Sequence, residues 1–380
     1  MRRANLLLAA VVLGLSPACR PIPLYGSPVS TPGRAPLEVY SVEWWKPLVP
    51  SQFFESAPRE NAGPAVDRDS HQVVVLTRDG LIRAFGPSGK LTWEFKTEGT
   101  FFSAPEIVDG NLFVAAGDGS LYALEAKTGK ALWKYDAKEE LGTTPVLTDG
   151  KLLVASFADT LYALDAKTGK WLWQYRRDTP SGFTIHGASR PAVKDGIAYV
   201  GFADGHLVAL RIEDGSVKWD KALSGEGQFI DVDTDPVIDA QGRLYAASYK
   251  DGVFAVDPAT GDTLWHTATA GITHLLLAGG TLFATGDQQL QAISTASGQS
   301  QWAMGLKGKS AHPPLLVKGL LLVPINDSLV YVEALTGKQQ VSWDPGQGVT
   351  ATPAWSGSKL YVLSNMGYLY ALRLAGGKSG

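Results

Sequence analysis

The run Asp231-Val-Asp233-Thr-Asp235 is where this 380-residue chain comes nearest to working chemistry, because alternate carboxylates open calcium-binding loops. The pattern fails at its bend: position six is Pro236 instead of Gly, and position twelve is Gly242 instead of Glu. The six histidines (His71, His186, His206, His266, His274 and His312) contain no HExxH motif and no i, i+4 pair on a helix. A Gly-x-Ser-x-Gly elbow for a serine nucleophile is absent, as is a Gly-rich loop that would cradle phosphate. The single cysteine, Cys19, excludes an internal disulfide framework and any zinc site built from several cysteines. A net charge of −3 without a long basic run argues against nucleic acid as the main partner. The expectation is a chain with no catalytic residues, no metal and no cofactor.

Cys19 has a chemistry of its own. Arg2 and Arg3 precede an apolar run over residues 6–15, followed by Ser16-Pro17-Ala18-Cys19. Ten apolar residues rise only about 15 Å as a helix, half of the ~30 Å bilayer core, so the run reads as an export signal. The arrangement resembles a bacterial lipoprotein signal, in which Cys19 is lipidated and becomes the first residue, although Ser16 stands where that motif usually has Leu. Residues 1–18 are then a signal peptide, whose loss removes two arginines and shifts the charge from −3 towards −5. Arg20, rather than Asp, follows the cysteine; by resemblance to the bacterial sorting rule this favours the outer membrane. Residues 19–39 carry Pro21, Pro23, Pro28, Pro32 and Pro36 and read as an extended tether. At ~3.1 Å per residue the 18 residues from Arg20 to Leu37 reach roughly 55 Å.

The elements that must position any surface chemistry are repeats. Ser120-Leu-Tyr-Ala-Leu124 is followed by Thr128-Gly129 and Trp133; Thr160-Leu-Tyr-Ala-Leu164 is followed by Thr168-Gly169 and Trp173. Related units end at Trp93, Trp219, Trp265 and Trp302, each with Gly four residues before the Trp and a mean period of about 42. A seventh unit has Thr336-Gly337 but places its tryptophan, Trp343, six residues later. Apolar runs of four to six residues punctuated by Asp-Gly or Thr-Gly are strands joined by tight turns. Leu161 and Ala163 face one side while Tyr162 and Leu164 face the other, so each sheet must be covered on both faces. Glycine, with 42 residues, supplies the turns.

Four short strands per unit, stacked face to face around an axis, predict an all-β, eight-bladed β-propeller. The third-strand signature recurs eight times, at residues 81–85, 121–124, 161–164, 207–210, 253–256, 290–293, 329–332 and 369–372. The last unit leaves no room for its Trp-bearing fourth strand, whereas Val42-Glu43-Trp44-Trp45-Lys46 is a surplus strand at the other end. An N-terminal strand closing the last blade is therefore expected, with the propeller spanning residues 40–376.

Loops carry propeller function. From each Trp to the Pro opening the next blade there are 12 residues (Trp93–Pro105, Trp133–Pro145) or 10 (Trp343–Pro353). Two neighbouring connections are longer, 18 residues for Trp173–Pro191 and 17 for Trp219–Pro236. The first holds Phe183, Ile185 and His186; the second holds Gly225-Glu-Gly-Gln-Phe229-Ile230 and then Asp231 and Asp233. Apolar anchors beside charge suit a protein-docking patch.

WD40 repeats share the period, but only Trp219 and Trp343 are followed by Asp, and no Gly-His opens the units. The pattern Leu-Tyr-Ala-Leu-Asp-x-x-Thr-Gly-x-x-x-Trp resembles repeats of the pyrroloquinoline-quinone (PQQ) type over about 340 residues. Together with the signal and the tether, the chain resembles the BamB family, lipoproteins of the machinery that inserts β-barrel proteins into the bacterial outer membrane. Asp231-Val-Asp233-Thr-Asp235-Pro236 is similar to that family's Asp-Val-Asp-Thr-Thr-Pro. Phe183-Thr184-Ile185-His186 aligns with its Leu-x-Leu-Arg, with His186 in place of Arg. The resemblance implies a non-catalytic scaffold, lipid-anchored on the periplasmic side of the outer membrane. It would dock on a periplasmic POTRA domain of BamA, alongside other components of the complex and unfolded outer-membrane proteins. The competing readings are a periplasmic PQQ-dependent dehydrogenase or ligand-sensing propeller, and a carbohydrate- or peptide-binding lipoprotein.

Overall fold

The computed structural model describes residues 28–30, 39–50, 58–178, 187–225 and 227–374. All the regular structure among them is β-strand, arranged in eight small antiparallel sheets. These are the blades of the expected propeller: residues 65–96, 106–136, 146–176, 192–222, 237–267, 272–310, 315–343 and 354–374. A blade begins with a short inner strand, continues with two buried strands and ends with an outer strand. In blade 3 these are Val146–Thr148, Lys151–Ala155, Thr160–Asp165 and Trp171–Arg176. Blade 6 departs from this plan, because Thr281–Ser294 is continuous, pairing first with Ile272–Ala278 and then with Ser300–Ser310.

Alternation along the middle strands builds the core. Leu121 and Ala123 pack towards blade 3 with Leu152, Val154 and Leu164, while Tyr122 and Leu124 pack towards blade 1 with Val74 and Leu76. Both sets are removed from water, which is why the strand is apolar on its two faces.

The repeated Gly and Trp form a lock between neighbouring blades. Gly89, Gly129, Gly169, Gly215, Gly261, Gly298 and Gly337 all have positive φ, and a Cβ on any of them would come closer than 3.0 Å to the preceding blade's indole. Those indoles belong to Trp44, Trp93, Trp133, Trp173, Trp219, Trp265 and Trp302. Each also donates its Nε1 hydrogen across the seam to a carbonyl beside that glycine, as in Trp133 to Ala166 at 3.1 Å and Trp173 to Ile212 at 3.0 Å. The turn therefore needs Gly twice, for its left-handed backbone and for the ring lying on it.

The ring closes where sequence accounting placed the closure. Tyr40–Pro47 pairs antiparallel with Tyr368–Leu374 as the outer strand of blade 8, and Trp44 opposite Ala371 supplies that blade's lock on Gly89. The displaced Trp343 lies at the seam between blade 7 and this closing blade. Blade 8 takes its outer strand from the start of the chain, and among the described residues of the 7–8 seam no glycine lies against an indole of blade 7. The residue at the lock position of blade 7, opposite Tyr331, is Val341. Trp343 sits two residues on, fully buried against Tyr40 and Tyr370 at ring-centroid distances of 5.0 and 5.1 Å. Its Nε1 and the Tyr331 hydroxyl are buried without a hydrogen-bond partner. Outside this seam, Pro28–Ser30 pairs with Gln339–Trp343 as a fifth strand of blade 7, which holds part of the Pro-rich segment on the ring.

Candidate functional site

The two lengthened connections start and end at fixed points. Where the first leaves blade 3, Arg177 reaches blade 4, donating from Nε to Asp204 and from Nη1 to Asp220, each at 2.6 Å, with its guanidinium 5.8 Å from the Phe202 ring. Burial opposes the charge on Arg177, but its carboxylate bonds outweigh burial and hold it protonated. Asp220 also accepts from His206 Nδ1 at 2.6 Å. Phe183, Ile185 and His186 lie outside the described residues.

The chain returns at Gly187, and there the connections meet. A Cβ on Gly187 would fall on the Asp233 carboxylate, so only glycine lets the loops close on each other. Beyond it, Ser189 Oγ donates to the Thr234 carbonyl at 3.0 Å, and the Arg190 amide donates to Asp235 at 2.7 Å. Arg190 also reaches Glu106 of blade 2 at 3.1 Å. Thr234 closes the second connection onto blade 5 through reciprocal bonds with Ala247, at 2.9 and 3.0 Å.

The acidic pair does not stand outward. Asp231 is fully buried, and Asp233 is half-buried facing Gly187. Burial, and then the charge of Asp231, pushes the Asp233 carboxyl up to about 7. Asp233 is the side chain on which the first connection closes, through Gly187. The exposed group is Phe229, 40% accessible at φ 56° and 6.2 Å from the Tyr249 ring. Left-handed backbone is costly for an aromatic residue, and such strain collects at functional positions. The glycine-flanked sequence around Phe229 was the signal available for it.

Beside this surface opens a central cavity of about 530 Å³, lined among others by Phe102, Phe157, Asp233, Asp287, His274 and His312. The two imidazoles lie 6.5 Å apart, and burial, followed by the proximity of His312, lowers His274 to about 3, leaving it neutral. Among the described residues no group of three or more His, Cys, Asp or Glu could hold a metal ion.

The Gly–Trp lock and its period place the chain in the class of propellers built from PQQ-type repeats. The family model described as outer membrane protein assembly factor BamB matches residues 41–141, 108–304 and 286–379, and the chain belongs to that family. A BamB of Shewanella oneidensis is 27% identical over 376 residues, covering 95% of this chain and 84% of the relative. The BamB of Legionella pneumophila is 29% identical over 204 residues, half of this chain and 52% of the relative, so that match spans about half of the relative's length. Among solved structures, BamB from Moraxella catarrhalis superposes with a TM-score of 0.76 at 21% identity, covering 88% of this chain and all of that one. Quinohemoprotein alcohol dehydrogenase from Comamonas testosteroni reaches 0.71 at 14% identity over 90% of this chain and 77% of its own, a likeness of fold alone.

Proposed function

We propose that this chain is a non-catalytic scaffold of the machinery that assembles β-barrel proteins into the outer membrane, docking on BamA through its two lengthened connections. Membership of the BamB family supports the setting. The observation that carries the docking surface is the closure of Gly187 on Asp233, which joins the two connections into one face with Phe229 exposed on it. Asp231 and Asp233 belong to that face in this reading, and Phe183, Ile185 and His186 of the first connection are proposed as further contacts with the partner. In this reading Cys19 carries the lipid, so the ring is anchored to the outer membrane from the periplasmic side. Anchoring of that kind takes more than one acyl chain.

Affinity purification from detergent-solubilised outer membrane, with partners identified by mass spectrometry, tests the reading. Phe229→Asp should lower recovery of BamA about tenfold, the effect of ~1.4 kcal/mol at an interface, with unchanged circular dichroism. Asp231→Ala with Asp233→Ala should lower it as well, by reshaping the loop. Full recovery of BamA with both variants would overturn the docking assignment.

A further inference from the structure

Every outer strand carries a β-bulge just before its lock position, so one extra residue there is left out of the ladder. The extra residue is Leu132, Leu172 and Leu264 in blades 2, 3 and 5, but Gln301, Gln340 and Glu43 in blades 6, 7 and 8. In blades 1, 3 and 4 the residue ahead of it is Leu91, Trp171 or Val217. These six large apolar side chains are all exposed, from 39% for Leu172 to 52% for Leu264. Each is the first or second residue of its outer strand, directly after the turn from the third strand. The connections between blades leave from the other end of the same strands, so the six stand on the face opposite the two lengthened connections. Leu335, in the corresponding turn of blade 7, joins them there, and among the described residues Phe229 alone is a large exposed apolar group elsewhere.

Charge divides this rim. The turns entering the outer strands of blades 1–3 expose Lys90, Lys127, Lys130, Lys167 and Lys170 against two carboxylates, Glu125 and Asp165. Both carboxylates already accept from a hydroxyl of their own turn, Thr128 or Thr168. The ion-paired lysines among the described residues are Lys138, Lys221, Lys309 and Lys359, so the five ammonium groups face solvent. Asp109 and Asp149, at the same end, belong to the inner turns nearer the axis. In blades 4 and 5 carboxylates enter the outer turns, Glu213, Asp214, Asp257 and Asp262, so the basic arc stops at blade 3. Lysine is depleted from protein interfaces, whereas lysines interleaved with leucine and tryptophan suit a lipid surface. There the indole settles at headgroup level, the leucines enter the acyl boundary, and the ammonium groups reach the phosphates.

We infer that the arc of Leu91, Leu132, Trp171 and Leu172, with its five lysines, seats the ring directly on a bilayer bearing anionic phospholipid headgroups. The choice of the outer membrane as that bilayer rests on the anchored-scaffold reading above; the chemistry of the arc stands on its own residues. Seating here turns the lengthened connections, on the opposite face, away from lipid and towards periplasmic partners. Vesicle flotation tests it. The chain from residue 19 with Cys19→Ser keeps every described strand and removes both the apolar leader and the expected site of lipidation. It should float with vesicles of phosphatidylcholine mixed with phosphatidylglycerol at least tenfold more tightly than with phosphatidylcholine alone, and less tightly as salt is raised. Trp171→Glu with Leu172→Glu, and separately Lys127→Glu with Lys167→Glu, should each weaken flotation at least tenfold with unchanged circular dichroism. Leu264→Glu, outside the basic arc, should leave it as it was. No flotation, equal binding to both kinds of vesicle, unchanged binding of either double variant, or an equal loss with Leu264→Glu would each overturn the proposal. In detergent extracts, which hold no bilayer, both double variants should keep full recovery of BamA. Lost recovery would assign the arc to a protein partner and overturn the proposal too, whereas failed flotation with BamA recovered leaves the docking reading standing.

Discussion

At the scale of single residues, the informative groups are carboxyls kept from water. Asp233 is pushed up to about 7 by burial and by neighbouring Asp231. Glu60, almost inaccessible, is also pushed up to about 7 by burial, despite its ion pair with Arg78. An acid raised in the folded state holds its proton there after the unfolded chain has lost it. The contribution of these two groups to stability therefore falls as pH rises from about 4 towards 7 and levels off above that window. Asp233→Asn should flatten part of this fall, raising the thermal midpoint more at pH 8 than at pH 5. Equal changes at both pH values would show that Asp233 is not held protonated. The sequence exposed Asp231 and Asp233 as an unusual pair but not their direction, because burial depends on Gly187 arriving from another blade.

At the scale of elements, the Gly–Trp lock and its single omission make a comparison. Trp133→Phe removes the bond to Ala166 and leaves that half-buried residue's carbonyl short of a partner. Trp343→Phe removes a donor that has no partner. The loss of ring volume is similar in the two, so Trp133→Phe should cost about 1 kcal/mol more, read from urea unfolding at constant slope. Repeat spacing revealed the anomaly of blade 7, since Trp343 follows Gly337 by six residues instead of four. Its burial against Tyr40 and Tyr370, from the two ends of the chain, is something no spacing within blade 7 could disclose.

At the scale of the whole molecule, one strand from the start of the chain makes the ring. Removing residues 40–47 would bare the edge of Tyr368–Leu374 and unlock Trp44 from Gly89. An opened ring exposes two sheet edges and two apolar blade faces. The truncated chain should therefore elute as aggregate in size-exclusion chromatography, whereas the full ring elutes as a discrete species. The same closure brings the connections after blades 3 and 4 onto one face, because successive blades present equivalent loops side by side.

Taken by itself, the sequence determined the repeat, the eight blades and the closing strand, because alternation and turn chemistry are local and a missing strand can be counted. It also marked the two lengthened connections, whose excess length is visible against the others. The tertiary structure alone decided which side chains those connections turn outward. Asp231 went inside, Phe229 outside in left-handed backbone, and Gly187 became the point of closure, since each outcome depends on contacts between blades some 45 residues apart. It also decided that the outer edge of blade 7 is filled by Pro28–Ser30, a pairing that no single repeat contains.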